Sequence, residues 1–168
     1  MSHYPRETAT EIAKHCLTGL SENPKVLDVR GGPLTYANAF AQQGAVVTIL
    51  DLPEVIDMMR PKLNPSLSIS MEKGDFTKGL PKGPFDVVYL GNIYHIYGEK
   101  ENRKLFCDAA SELQSGGRMI INDFVRGTGP ESALFAYEQY KKWLQDAGFS
   151  VPIFDEVSYN QLIIATKQ

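Results

Sequence analysis

Cysteine is scarce in this chain of 168 residues, which carries only Cys16 and Cys107. Two thiols cannot build a disulfide framework or a four-cysteine zinc site. No apolar run approaches the roughly 20 residues of a membrane span. The opening MSHYPRETAT also lacks the apolar core of a signal peptide. Neither sign of charge dominates. The balance of 17 Lys and Arg against 20 Asp and Glu leaves a net charge of -3, which argues against non-specific binding to DNA or an acidic membrane. Internal repeats, low-complexity stretches and long linkers are missing as well. With 43% hydrophobic and 22% charged residues, what is present is an ordinary folding composition, not a disordered one. The expectation is a reduced, cytoplasmic protein with a single domain over 1–168, long enough to bury a real core.

The pattern along the chain is strand then helix, repeated. Residues 5–20 place Ala9, Ile12, Ala13, Cys16, Leu17 and Leu20 on one helical face, and SENP at 21–24 predicts its end. KVLDV (25–29) reads as a buried strand, 34–43 as a helix stopped at Gly44, and AVVTIL (45–50) as a second strand. Pro53 opens a short helix, since its missing N–H costs nothing at a helix start. Strands follow at 67–74 and 85–93, a helix at 99–113 halted by Gly116-Gly117, and a fifth strand at 118–125. A last helix spans 130–147 with Gly148 as its stop. Strand-like runs at 152–159 and 161–167 are close enough for an antiparallel hairpin. Together these predict an α/β fold: a doubly wound, mostly parallel sheet of about seven strands, helices on both faces, and an antiparallel edge.

In such sheets ligands bind outside the carboxyl ends of the strands. Here those ends carry Asp28, Asp51, Asp75, His95 and Asp123, an acid or a histidine at each of five strands. One acid on a solvated strand end is commonplace, whereas five on one rim point to a ligand site. Asp51 can accept both hydroxyls of a ribose, or it can cap the helix at Pro53. Phe76 can stack on a purine while Asp75 takes a hydrogen bond from its amine, or it can simply pack in the core. A nicotinamide site would want G-x-G-x-x-G after the first strand, but from position 30 the residues at the glycine places are Arg30, Gly32 and Thr35. A dehydrogenase is therefore disfavoured. His3 and His15 read as solvent-exposed, and Cys107 as a half-buried thiol on one helix.

VLDVRGGPLTYANAFAQQGAVVTILDLPEVID (26–57) resembles the first third of a class I S-adenosylmethionine-dependent methyltransferase domain. More narrowly, the chain resembles the small-molecule O-methyltransferases of plant and bacterial secondary metabolism. LDV with its glycine turn, DLPEVI, GDF, NIYHIYGEKENRKLF (92–106), SGGRMIINDFV (115–125) and EQYKKWLQDAGF (138–149) recur in that family's order, covering nearly everything from Val26 onward. The resemblance implies a Rossmann-like core at 25–168 behind an N-terminal helix and lead-in at 1–24. It also implies S-adenosylmethionine as cofactor. Asp51 would hold the ribose, Leu52 would pack on the adenine, Asp75 and Phe76 would flank it, Gly32 would let the backbone close on the cofactor, and Asp28 would brace the turn. His95 would act as general base on a substrate hydroxyl, and Asp123 would orient it. No metal is implied.

The chain departs from that pattern in three places. Arg30 and Leu34 stand where the family has glycine, and Arg30 is expected to fill the space of the methionine moiety or to pair with its carboxylate. Ile96 follows the histidine where aspartate is common. An N-terminal dimerisation domain and an insertion before the last helix are not matched, so the acceptor pocket is expected to be shallow, or completed by a homodimer or another partner chain. A catalytically silent relative acting as a binding or assembly module is the competing expectation.

Overall fold

The computed structural model describes residues 3–91, 98–122, 129–158 and 160–168, with backbone alone at 3–5 and 129–136. The elements alternate as the periodicity predicts: α1 (His3–Leu17), β1 (Lys25–Val29), α2 (Thr35–Gln42), β2 (Val46–Asp51), α3 (Pro53–Met59), β3 (Ile69–Lys73), β4 (Phe85–Gly91), α4 (Glu99–Glu112), β5 (Leu113–Asn122), α5 (Gly129–Asp146), β6 (Ile153–Val157) and β7 (Asn160–Thr166). They form a seven-stranded sheet in the order β3-β2-β1-β4-β5-β7-β6. Pairing is parallel from β3 through β5 and antiparallel for β5–β7 and β7–β6. The strand order reverses between β1 and β4, which places the switch point beside the turn that follows β1.

Two apolar layers cover the sheet. Leu27, Val29, Val88, Leu90, Met119 and Ile121 face α4 and α5, where Leu105, Phe106, Tyr140 and Trp143 complete one core. Val26, Val47, Ile49, Val87 and Ile120 face the opposite way, against Ile12 and Cys16 of α1, Phe40 of α2 and Ile56 of α3. Successive strand residues point to opposite faces, so a continuous apolar run is what a strand covered on both sides requires.

The larger boundary shifts are at the end of α1 and the start of β5. Helix α1 ends at Leu17, before the SENP segment, because Gly19 at φ 83 takes the left-handed turn that ends a helix. Helix α4 ends at Glu112, and Gly116-Gly117 lie within β5 instead of halting the helix. Leu113 already pairs with Phe85, and the register then jumps so that Arg118 pairs with Val87. The two glycines thus belong to an irregular start of the strand. Among the described residues, no helix is long and apolar enough to cross a membrane.

Candidate functional site

The alternation that makes two apolar layers also makes one polar patch. Asp28 on β1, Asp51 on β2, Tyr89 on β4 and Asn122 on β5 share the parity of the residues facing α1, α2 and α3. They stand at or near the carboxyl ends of four adjacent parallel strands, and all four are buried: Asp28 2%, Asp51 7%, Tyr89 2% and Asn122 5% exposed. Buried polar groups need partners. Asn122 meets that need by donating from Nδ2 to the hydroxyls of Tyr89 at 2.8 Å and Tyr36 at 3.1 Å. The rings of Tyr36 and Tyr89 stack at 4.9 Å.

The turn after β1 closes over this patch. Arg30 N–H donates to the Leu50 carbonyl at 2.7 Å, extending the β1–β2 pairing by one rung, and Leu34 N–H returns to the Gly31 carbonyl at 3.0 Å. Both non-glycine residues of the departure, Arg30 and Leu34, adopt left-handed φ values of 61 and 70. The backbone therefore keeps the conformation that glycine adopts freely, at a strain of roughly 1–2 kcal/mol per residue. Arg30 itself is exposed. Its side chain takes no part in the buried layer beneath the turn.

Gly31 and Gly32 are where backbone approach is closest. A Cβ on Gly31 would sit 2.3 Å from the Asp28 carboxyl carbon, and one on Gly32 would sit 2.2 Å from Val55 Cγ1 and 2.7 Å from Asp51 Oδ2. The Gly32 N–H donates to Asp51 Oδ2 at 3.1 Å, while Asp51 Oδ1 accepts from its neighbour Leu52 N at 2.8 Å. Asp51 is thus no cap for α3: the residue at the cap position is Leu52, which makes no side-chain capping bond. The carboxylate ties the β1 turn to the end of β2 instead.

Asp28 has a different environment. Among the described residues its buried Oδ2 finds no hydrogen-bond partner. Burial, and then the nearby Asp51 charge, push its carboxyl up to about 8, so it holds a proton at neutral pH. Burial likewise raises Tyr36 and Tyr89, and takes the Cys16 thiol up to about 12.

The other expected residues separate. Asp75 caps the 3-10 turn Phe76–Lys78, its Oδ1 accepting from Thr77 N at 2.9 Å and Thr77 Oγ1 at 2.6 Å, and these bonds lower its pKa. Phe76 is 5% exposed and belongs to the core layer facing α4 and α5, which is the packing reading of that side chain. Leu52 is 47% exposed at the same rim. His95, Ile96 and Asp123 lie outside the described residues, as does the side chain of His3. His15 is not free in solvent, since its Nε2 lies 2.8 Å from Asp155 Oδ2 and fastens α1 to β6. Cys107 is exposed, not half-buried, because it falls on the side of α4 opposite Leu105, Phe106 and Ala109. Sequence reasoning missed Tyr36 and Tyr89. The available signal was a tyrosine inside the apolar strand FDVVYLG, whose hydroxyl must find a partner once buried. A depression of about 310 Å³ lined by Leu17, Leu20, Asn23, Pro24 and Gly44 lies at the amino ends of β1 and β2, away from this rim.

A buried carboxylate holding a glycine turn at the switch point of such a sheet can be compared with known proteins. The model of the O-methyltransferase domain family matches residues 7–150. The chain belongs to this family. L-tyrosine C(3)-methyltransferase of Streptomyces lavendulae is 29% identical, over 88% of this chain and 48% of its own length. Acetylserotonin O-methyltransferase of Gallus gallus is 30% identical, over 54% of this chain and 27% of its own length. In fold, this methyltransferase domain superposes on a candidate O-methyltransferase of Nostoc punctiforme with a TM-score of 0.82 at 23% identity, covering 99% of this chain and 58% of that one. Human N-acetylserotonin methyltransferase, solved in complex with S-adenosylmethionine, gives 0.72 at 20% identity, covering 96% and 54%. The chain thus spans about half the length, or less, of these curated relatives.

Proposed function

We propose that this methyltransferase domain binds S-adenosylmethionine at the β1–β2 rim and transfers its methyl group to a hydroxyl of a small molecule. The observation that carries the reading is the Asp51 carboxylate, buried, bonded to Gly32 N–H, and closing the strand next to the switch point. The left-handed backbone at Arg30 and Leu34 supports it, because the turn keeps its form without the glycines. Gly31 and Gly32 support it too, since their bare backbone leaves room for a close ligand approach. Asp51 would accept from the ribose hydroxyls through the lone pairs its backbone contacts leave free. Leu52, already exposed at the rim, would pack on the adenine, and Asp75 would meet the adenine edge above the buried Phe76. Gly32 would face the cofactor through its backbone, and Asp28 would support the turn from below.

When bound, the cofactor supplies an electrophilic methyl group on a sulfonium. His95, next on the chain after β4, would take the proton from the attacking hydroxyl, and Asp123, the residue after Asn122, would hold its ring in orientation. A histidine suits that task because its unperturbed pKa lies near working pH. The acceptor pocket would be completed by segments beyond this domain, by a second copy in a homodimer or by another partner chain. A cytoplasmic location fits the two free cysteines, since the exposed Cys107 thiol persists in a reducing compartment.

Calorimetric titration with S-adenosylmethionine and S-adenosylhomocysteine tests the reading. Saturable binding of both is expected. A folded protein that binds neither at millimolar ligand overturns it, and leaves the silent binding module in its place.

A further inference from the structure

We propose that Asp28 is a charge-sensing positioning residue, neutral beneath the turn in the free protein and ionised when the cationic cofactor docks, so that binding of S-adenosylmethionine releases a proton to solvent while binding of its thioether product, which lacks the sulfonium charge, releases less. The inference rests on the methyltransferase reading above and adds a role that bracing the turn does not include.

The geometry carries it. Asp28 is 2% exposed, and its Oδ2 is without a hydrogen-bond partner among the described residues. The Gly31 backbone is folded so closely onto the carboxyl group that even a methyl group would collide with it. The group is therefore sealed under the segment that a cofactor would contact, on the strand beside Asp51. An orphaned acid oxygen is costly in a bare core, and it becomes useful if a cation arrives above it. Asp51 from β2 acts on Asp28, and Asp28 and Cys16 of α1 in turn act on Tyr36 from α2 and Tyr89 from β4. Burial keeps both phenols and the thiol protonated through the neutral range. Asp28, raised to about 8, is the member of the layer placed to titrate there. A positive charge in the turn favours its ionised form, because Coulomb attraction is weakly screened in a water-poor site. The proton leaves the carboxyl oxygen for solvent, and no other bond changes. Once the methyl group is gone the cofactor has lost its sulfonium charge, Asp28 takes a proton back, and product release is favoured.

Calorimetry at pH 7 in two buffers of different ionisation enthalpy, phosphate and Tris, counts released protons for each ligand. The cofactor's own amino group also exchanges protons, so the quantity read is wild type minus Asp28→Asn. The expected difference is about one proton per S-adenosylmethionine bound, and less than about half of that for S-adenosylhomocysteine. Wild-type affinity for S-adenosylmethionine should also rise by up to about tenfold per pH unit between pH 6 and 8 relative to the variant. Equal proton release by wild type and variant, or equal differences for the two ligands, overturns the inference while leaving the binding reading intact. A folded wild type that binds neither ligand overturns both. Because the variant can fail to fold, carbon-13 NMR of wild type labelled at its aspartate carboxyls provides a second measurement. One aspartate should titrate near 8 in the free protein and move down by at least about two units with S-adenosylmethionine. No aspartate titrating above about pH 6 in the free protein overturns the inference.

Discussion

The Asp51 carboxylate accepts the backbone N–H of Gly32 at 3.1 Å, joining the end of β2 to the turn that follows β1 across 19 positions of sequence. One group therefore serves both the shape of the turn and the proposed hold on the ribose. Asp51→Ala should lower S-adenosylmethionine affinity by at least about tenfold and destabilise the fold by about 1–3 kcal/mol, the cost of a lost bond to a charged acceptor. Calorimetry and urea unfolding measure the two separately. Lost affinity with unchanged stability would mean that the Gly32 bond contributes little to the fold.

Gly31 should tolerate no side chain while Asp28 lies beneath it. Gly31→Ala should cost about 1–3 kcal/mol, as expected when a packed site is overfilled. Combining it with Asp28→Ala should recover part of that loss, because the colliding carboxyl is gone. A double-mutant cycle by chemical unfolding reads the coupling, and strict additivity would show that Gly31 presses on something other than Asp28.

Arg30→Gly should raise stability by up to about 1 kcal/mol, since it relieves a left-handed residue whose side chain is exposed. Leu34→Gly relieves a similar strain but removes a side chain that is 5% exposed, and should be net destabilising by about 1 kcal/mol. Cofactor affinity should stay within about threefold in Arg30→Gly, which follows from the turn already having its form. A large gain would revive Arg30 as an obstruction.

Stability should fall as pH rises from about 4 to about 8. The folded protein holds the Asp28 proton up to about 8, whereas the unfolded chain loses it near the ordinary aspartate value of 3.8. Between these values the native state binds more protons, so raising the pH favours unfolding. Asp28→Asn should flatten that slope in thermal melts taken at several pH values. A wild-type slope identical to that of the variant would show that Asp28 ionises normally in the fold.

His95→Ala should abolish methyl transfer, followed as S-adenosylhomocysteine formation with a hydroxylated acceptor, and leave cofactor affinity within about threefold of wild type. Equal losses of both would make His95 a structural residue.

Much of the fold was legible in the sequence because its signals are local. The run KVLDV is a buried strand wherever it lies, and Gly44 and Gly148 end their helices by the backbone they permit. The start of β5 is the instructive difference. The sequence pattern places it at residue 118, whereas Leu113 is already drawn into the sheet by pairing with Phe85, a contact that no local rule contains. Cys107 is exposed because how much of a helical face the sheet covers is set by tertiary packing, which spacing alone does not carry.

The sequence by itself determined the strand–helix alternation, the acids at the strand ends and the family pattern running from LDV to SGGRMIINDFV. Those are properties of residue type and spacing. Tertiary structure decided what each acid does. Asp51 became a tie between two strands, Asp75 a cap for its own turn, and Asp28 a buried acid pressed under Gly31. Burial and proximity set a carboxyl's charge and partners, and both arise only when strands distant in sequence are brought side by side. The left-handed backbone at Arg30 and Leu34 shows that the turn's shape is held by the core, against the preference of the residues in the turn.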